Sequence, residues 1–111
     1  MEVQVLLATP KRLFMKYLKI TAKYSLNGKD EVTSATVPYV LETSYDLPDV
    51  YPFNQNIYFG PDDGAYLGRV YINKNGDIDY LADIIKLKGD KATYAPTRSG
   101  RYLFEFEIIE Q

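Results

Sequence analysis

The sequence predicts an all-β fold: an antiparallel β-sandwich or jelly-roll-like small barrel of about seven or eight short strands. Apolar residues recur with a period of two through much of the chain, which is typical of half-buried strands. Asn-Gly, Gly-Asp and Pro residues separate these stretches at short intervals. No stretch shows the periodicity of a long amphipathic helix.

The 111 residues are enough for one domain with one core. Residues 1–111 are therefore interpreted as a single β domain. Because 14% of the residues are aromatic, burial of their rings can offset the entropy that ordering the chain removes. We expect an ordered globular domain.

Three strands are predicted before the central region. Residues 2–7 alternate apolar and polar side chains, and residues 11–17 could open with a helical turn. Residues 15–26 form a second strand, and Asn27-Gly28 is a strong hairpin signal. One face of this strand is apolar: Leu18, Ile20, Ala22, Tyr24 and Leu26.

The return strand is predicted at residues 31–41. Pro38 lies inside it and cannot donate a hydrogen bond, so this position should face a sheet edge or a bulge. Residues 44–66 contain several Pro, Gly and Asn residues and predict an irregular connection, with one short strand at 56–59.

A second hairpin is predicted at residues 70–80, around Asn75-Gly76, a pair suited to a type I′ turn. Residues 81–88 are compatible with a strand or with one helical turn. A short extended segment follows at 92–94, and residues 101–109 predict a central strand. The apolar face of that strand is strongly aromatic: Tyr102, Phe104, Phe106 and Ile108.

The composition excludes several kinds of chemistry. The chain has no Cys and no His, so it has no disulfide, no thiolate ligand and no Ser–His–acid triad. An enzyme would have to work with carboxylates alone. We therefore expect neither enzymatic activity nor a cofactor.

The charge argues against nucleic acid as a partner, because the net charge is −2 and such binding needs a basic field. Residues 1–30 carry six Lys or Arg, whereas residues 41–63 carry none and contain five acidic residues. This uneven distribution of charge is compatible with two solvated faces of opposite sign. It is also compatible with a basic face that docks on a partner and an acidic face that points away from it.

No membrane segment or signal peptide is expected. No apolar run approaches the roughly 18 residues that a span requires. The short apolar start at residues 1–7 is followed by Pro10 instead of a small-residue cleavage site.

Two stretches have residues that could suggest a cation site. An EF-hand-like reading around Gly76 fails, because Tyr71 and Ala82 would occupy the first and twelfth positions, where carboxylates are needed. Asp62-Asp63 precedes Gly64 and is compatible with a cation site or a catalytic carboxylate. A turn is the favoured interpretation, because Asp-Asp-Gly suits one.

The chain has eleven tyrosines, which are candidate contact residues for a ligand or a partner. Tyr24, Tyr80 and Tyr102 share the alternation of core positions, whereas Tyr17 and Tyr71 fall on polar faces. Four more lie in or beside predicted loops: Tyr51, Tyr58, Tyr66 and Tyr94. An exposed Tyr suits a sugar ring and a protein interface equally well, and it also packs well on a sheet surface.

Residues 47–82 read LPDVYPFNQNIYFGPDDGAYLGRVYINKNGDIDYLA. This stretch resembles a recurrent segment in the head domains of bacteriophage tail fibres and baseplate receptor-binding or accessory proteins. The motif positions, in order, are Leu47-Pro48, Tyr51-Pro52, residues 57–59, Gly68, Val70, Ile72, Asn75-Gly76 and Ile78. In the family one residue usually separates the Tyr from the Pro, whereas Tyr51 and Pro52 are adjacent here. A long shaft usually precedes the head in the family.

The resemblance implies a virion structural protein, often a homotrimer, made in the bacterial cytoplasm without a signal peptide. Such a protein binds host surface polysaccharide or a neighbouring virion protein. The candidate ligand contacts are Tyr51, Tyr58, Asp62, Asp63, Tyr66, Arg69 and Tyr71. The alternative is a small phage-encoded or cellular module that binds and inhibits a host factor.

Overall fold

The computed structural model describes residues 15–60, 63–96 and 101–111. Within this part the chain is all-β and antiparallel, as predicted, and no helix is long and apolar enough to cross a membrane. The described strands are β1 (Lys16–Leu26), β2 (Lys29–Pro38), β3 (Thr43–Asp46), β4 (Asn56–Gly60), β5 (Asp63–Tyr66), β6 (Arg69–Ile72), β7 (Ile78–Tyr80), β8 (Asp83–Ile85), β9 (Lys91–Tyr94) and β10 (Tyr102–Glu110).

The first sheet has the order β9-β10-β1-β2. Asn27 and Gly28 both have positive φ, 53° and 79°, which confirms the tight hairpin predicted between β1 and β2. β2 ends at Pro38 and is an edge strand, as the missing N–H of proline requires. β10 lies between two strands, so its prediction as a central strand is confirmed.

One detail of this sheet differs from the prediction. Leu26 is 40% exposed, because it is the last residue of β1 and lies beside the turn. Residues 16 and 17 belong to β1, and residues 11–14, where the helical turn was predicted to open, lie outside the described residues. The strand predicted at residues 2–7 lies outside the described residues.

The second sheet has the order β3-β6-β7-β8. It contains the predicted hairpin at residues 70–80, but the turn is not type I′. Gly76 has a φ of 83°, its N–H donates to the Asn73 carbonyl, and the Asn73 N–H donates to the Asp77 carbonyl. The Asn73 Oδ1 also accepts from the N–H groups of Asn75 and Asp77, and this cap favours the longer loop.

Residues 44–66 are more regular than predicted, because they contain most of β3 and all of β4 and β5. β4 and β5 form their own hairpin and include the short strand predicted at 56–59. In residues 81–88 the strand alternative is correct. A turn at Leu81 and Ala82, with φ of 58° and 63°, leads into β8.

The two four-stranded sheets pack face to face around one core. Tyr80 of the second sheet meets Phe104 and Phe106 of the first edge to face, with ring centroids 5.4 and 5.8 Å apart. Burial raises the pKa of Tyr80, whose hydroxyl donates to the Leu67 carbonyl at 2.7 Å. The arrangement is that of a small β-sandwich.

The loop between β3 and β4 is fastened to the core by aromatic contacts. Phe53 is fully buried, and Tyr51 meets Tyr24 edge to face at 5.1 Å. The Tyr51 and Tyr102 hydroxyls are 3.1 Å apart. Burial and this hydrogen bond raise the pKa of Tyr102 to about 12. Tyr24, Tyr80 and Tyr102 all pack in or against the core, as their alternation predicted.

A hydrogen bond also ties the β6–β7 turn to the segment that follows β2. The Tyr39 hydroxyl donates to the Gly76 carbonyl at 2.6 Å. Burial, together with the nearby carboxylates of Asp77 and Asp90, raises the pKa of Tyr39. This contact holds the second hairpin against the first sheet and so helps to fix the position of β6 and β7.

Candidate ligand-binding groove

A shallow groove of about 350 Å³ opens along the outer face of the second sheet. Residues of β5 and of the turn after β7 contribute to its lining. The lining residues are Ser44, Gly64, Ala65, Tyr66, Arg69, Tyr71, Asp79, Leu81 and Ala82.

The strand register brings three of the polar side chains into one row. Ser44 of β3 lies opposite Tyr71 of β6, and Tyr71 lies opposite Asp79 of β7. The neighbours Ile72 and Ile78 are fully buried on the inner face. Because successive side chains alternate across a strand, this burial directs Tyr71 and Asp79 outward.

Tyr66 forms an aromatic platform at the groove. Its ring lies over the backbone of Gly68, so closely that a Cβ on residue 68 would overlap the ring. Leu67, between them, is fully buried and anchors the segment in the core. Even so, Tyr66 is 49% exposed and Tyr71 is 36% exposed. Two accessible tyrosines therefore border the same groove.

The positive charge in the groove is already paired. Arg69 of β6 lies opposite Asp46 of β3. Its Nε and Nη2 atoms are both 3.1 Å from the same Asp46 oxygen, Oδ1. Both side chains are largely exposed, so the pair adds little to stability. Its consequence here is electrostatic, because it neutralises the guanidinium at the edge of the groove.

Asp79 supplies a carboxylate from the middle of the sheet. It is half-buried between Tyr71 of β6 and Ile84 of β8. Within the described ranges, no ion pair includes Asp79. Its oxygens can therefore accept hydrogen bonds from a ligand.

The turn after β7, which contributes Leu81 and Ala82 to the groove, has an unusual backbone. Leu81 and Ala82 both adopt positive φ, a region that costs L-residues roughly 1–2 kcal/mol. Leu81 is 5% exposed, and its burial in the core offsets some of this strain. The buried side chain holds the turn in place beside Asp79.

Of the predicted ligand contacts, the structure brings Tyr66, Arg69 and Tyr71 together in the groove. Tyr51 does not line it, because it packs against Tyr24 and Tyr102. The backbone of Tyr58 lies opposite Gly64 in the β4–β5 hairpin.

The predicted acidic pair is only partly described. Asp63 begins β5, and Asp62 lies outside the described residues. Within the described ranges, no group of three or more Asp or Glu side chains is arranged to hold a metal ion.

Ser44, Asp79 and the Leu81-Ala82 turn were not predicted as site residues. A signal for Asp79 was present, because the hairpin alternation that assigned Tyr71 to a polar face assigns Asp79 to the same face. No local signal marked Ser44, whose contribution depends on the pairing of β3 with β6.

A second concavity of about 500 Å³ lies at the β1–β2 turn end of the first sheet. Its lining includes Lys23, Val32 and Leu103 from three neighbouring strands. Lys23 is paired with Glu105 at 3.0 Å. The aromatic residue that lines this concavity, Tyr24, packs against the core. Tyr66, at the groove on the second sheet, is 49% exposed and is therefore the better stacking surface.

The comparisons with known proteins give no relative. No protein-family model matches the chain, and no curated protein or solved structure matches it either.

Proposed function

We propose that the protein is a non-enzymatic structural component of a bacteriophage particle, and that its groove binds a host-surface polysaccharide. The observation that carries the proposal is the placement of Tyr66 over Gly68 with about half of the residue exposed. A supported aromatic ring is a suitable surface for the apolar face of a sugar ring. Tyr71 supplies a second such surface in the same groove.

The polar groups around the two rings support the same function. The Ser44 hydroxyl and the Asp79 carboxylate line the groove together with Tyr71. A few convergent polar groups beside apolar surface are typical of ligand sites, because they fix the orientation of the ligand. Sugar hydroxyls both donate and accept hydrogen bonds, so they can bond to the Ser44 hydroxyl and to the Asp79 carboxylate.

The residues at the groove favour binding over catalysis. Glycoside hydrolysis usually requires two carboxylates on opposite sides of the scissile bond. Of the carboxylates described near the groove, Asp79 lines it and Asp46 is engaged by Arg69. The sequence contains no His or Cys that could supply a general base or nucleophile in their place.

The assignment to a phage particle rests on the ordered motif in residues 47–82. Apart from Ser44, every residue that lines the groove falls within this stretch. The segment that resembles phage head domains is therefore also the segment that builds the groove.

A protein partner is the second candidate, favoured by Ile84. This residue is 49% exposed and continues the row formed by Tyr71 and Asp79. An exposed aliphatic side chain beside two tyrosines suits a protein interface. The partner would be a neighbouring virion protein, or a host factor that the module inhibits.

A glycan array carrying bacterial surface polysaccharides tests the proposal. Wild type should bind, and Tyr66→Ala should weaken binding at least about tenfold, because it removes the stacking surface. Gly68→Ala should have a similar effect: it keeps the tyrosine but displaces its ring.

Tyr17→Ala is the matched control, because Tyr17 lies on β1 of the first sheet. It should bind like wild type, and circular dichroism should show that all variants are folded. If wild type binds while Tyr66→Ala and Gly68→Ala bind equally well, the groove is not the site. If wild type binds no glycan and Ile84→Ser abolishes capture of a protein partner, the second candidate is correct.

A further inference from the structure

We infer that the groove selects neutral, hydroxyl-rich sugars and rejects acidic ones, with Asp79 and the Asp46–Arg69 pair as the specificity determinants. This inference rests on the proposed function and adds the chemical class of the ligand. It follows from the charges around the groove.

A cation that is free to pair with the sugar carboxylate strengthens the recognition of an acidic sugar. Among the described residues that line the groove, Arg69 is the one cationic side chain. Asp46 Oδ1 accepts a hydrogen bond from Nε of this guanidinium and lies 3.1 Å from its Nη2. An acidic sugar that pairs with Arg69 would therefore approach a guanidinium whose charge Asp46 already compensates, and it would be repelled by the Asp46 carboxylate.

Asp79 adds repulsion to this competition. Its carboxylate lines the groove, and no described ion pair compensates its charge. Like charges at contact distance disfavour binding, so a uronic or sialic acid would be penalised at this position. Among the described lining residues, no unpaired cation offsets this penalty for an acidic ligand.

The same carboxylate favours a neutral sugar. Asp79 lies directly across the strand pair from Tyr71, and side chains in such pairs have Cβ atoms roughly 5 Å apart. A sugar ring stacked on Tyr71 would therefore turn its edge toward Asp79. The two carboxylate oxygens can then accept hydrogen bonds from adjacent hydroxyls, and bonds to a charged acceptor are stronger than neutral ones.

The test is a glycan array with neutral hexose oligomers, uronic acid oligomers and sialylated oligomers, probed with wild type and three variants. Wild type should bind neutral oligomers at least about tenfold more tightly than acidic ones. Asp46→Asn frees Arg69 and should raise the ratio of acidic to neutral binding at least about tenfold. Asp79→Asn should raise the same ratio, because it removes the repulsion and weakens the neutral contact.

Glu105→Gln is the matched control. It changes the net charge by the same amount, and it breaks an exposed ion pair with Lys23 on the first sheet. It should leave the ratio unchanged. An equal change in this variant would show that overall charge, and not the groove, sets the preference.

The outcomes separate this inference from the function on which it depends. If wild type binds acidic oligomers as tightly as neutral ones, the inferred preference for neutral sugars is wrong, whereas the proposed glycan binding is retained. If neither Asp46→Asn nor Asp79→Asn shifts the ratio, these residues are not its determinants. If no oligomer binds, the proposed function is itself overturned.

Discussion

At the residue scale, two neighbours in β6 have opposite environments. Ile72 is fully buried between the sheets, whereas Tyr71 is 36% exposed in the groove. Ile72→Asp should cost several kcal/mol and unfold the domain, because it buries an unpaired charge. Tyr71→Ala should leave the free energy of unfolding nearly unchanged. Urea denaturation of both variants checks this, and a larger loss in Tyr71→Ala would contradict the assigned faces.

Tyr94 links stability to alkaline pH. Burial, followed by its hydrogen bond to Asp83 at 3.0 Å, raises the pKa of Tyr94 to about 12 from an ordinary value of 10.0. The folded protein therefore holds this proton more tightly than the unfolded chain does. Stability should be retained below pH 10 and lost as the pH rises from 10 toward 12.

Denaturation curves between these pH values test the effect. Tyr94→Phe cannot ionise at this position, so its stability should fall less steeply with pH than that of wild type. Part of the slope should remain in the variant, because the pKa of Tyr102 is also raised to about 12. Identical slopes for wild type and Tyr94→Phe would show that Tyr94 does not contribute.

At the element scale, the turn between β7 and β8 holds strain that a substitution can release. Ala82 is exposed and has a φ of 63°, which glycine adopts without the steric penalty of a Cβ. Ala82→Gly should therefore raise the free energy of unfolding by roughly 0.5–1 kcal/mol, net of the greater backbone entropy that glycine loses on folding.

Ala92→Gly in β9 is the control for this substitution. It lies within a strand, so the same change should destabilise the domain by roughly 0.5–1 kcal/mol. Thermal unfolding of the two variants gives the comparison. A melting temperature of Ala82→Gly at or below that of wild type would show that the positive φ of Ala82 does not strain the turn.

The long elements were predictable because their pattern is local. β1 and β10 show sustained alternation, with Ile20 and Phe104 on the buried side of each, and this identified both strands and their inner faces. The hairpin of β6 and β7 was predictable for the same reason. Its loop type was not, because the Asn73 side chain competes for the turn N–H groups.

The short elements and the groove depend on contacts distant in sequence. β8 has three residues, and the turn before it consists of Leu81 and Ala82, which disfavour positive φ. Alternation placed Tyr71 on an outer face, but it could not show which strand lies beside it. The pairing with Ser44, across 27 positions of sequence, is set by the sheet as a whole.

At the scale of the whole molecule, the proposed assignment to a phage particle predicts a homotrimer. Light scattering after size exclusion should give three times the 12.7 kDa mass of the chain. A monomer at every concentration tested would contradict the trimer. It would favour a module that inhibits a host factor, or an adaptor that assembles only on its partner.

We propose that the groove on the second sheet binds a polysaccharide, and an NMR titration can locate the bound ligand. The ligand is a neutral oligosaccharide that binds on the array, and the backbone amides of the labelled protein are followed. If the ligand lies in the groove, the largest chemical-shift changes should cluster at Tyr66, Gly68, Tyr71 and Asp79. Shifts clustered instead around Lys23 and Val32 at the end of the first sheet, or no shifts at all, would contradict it.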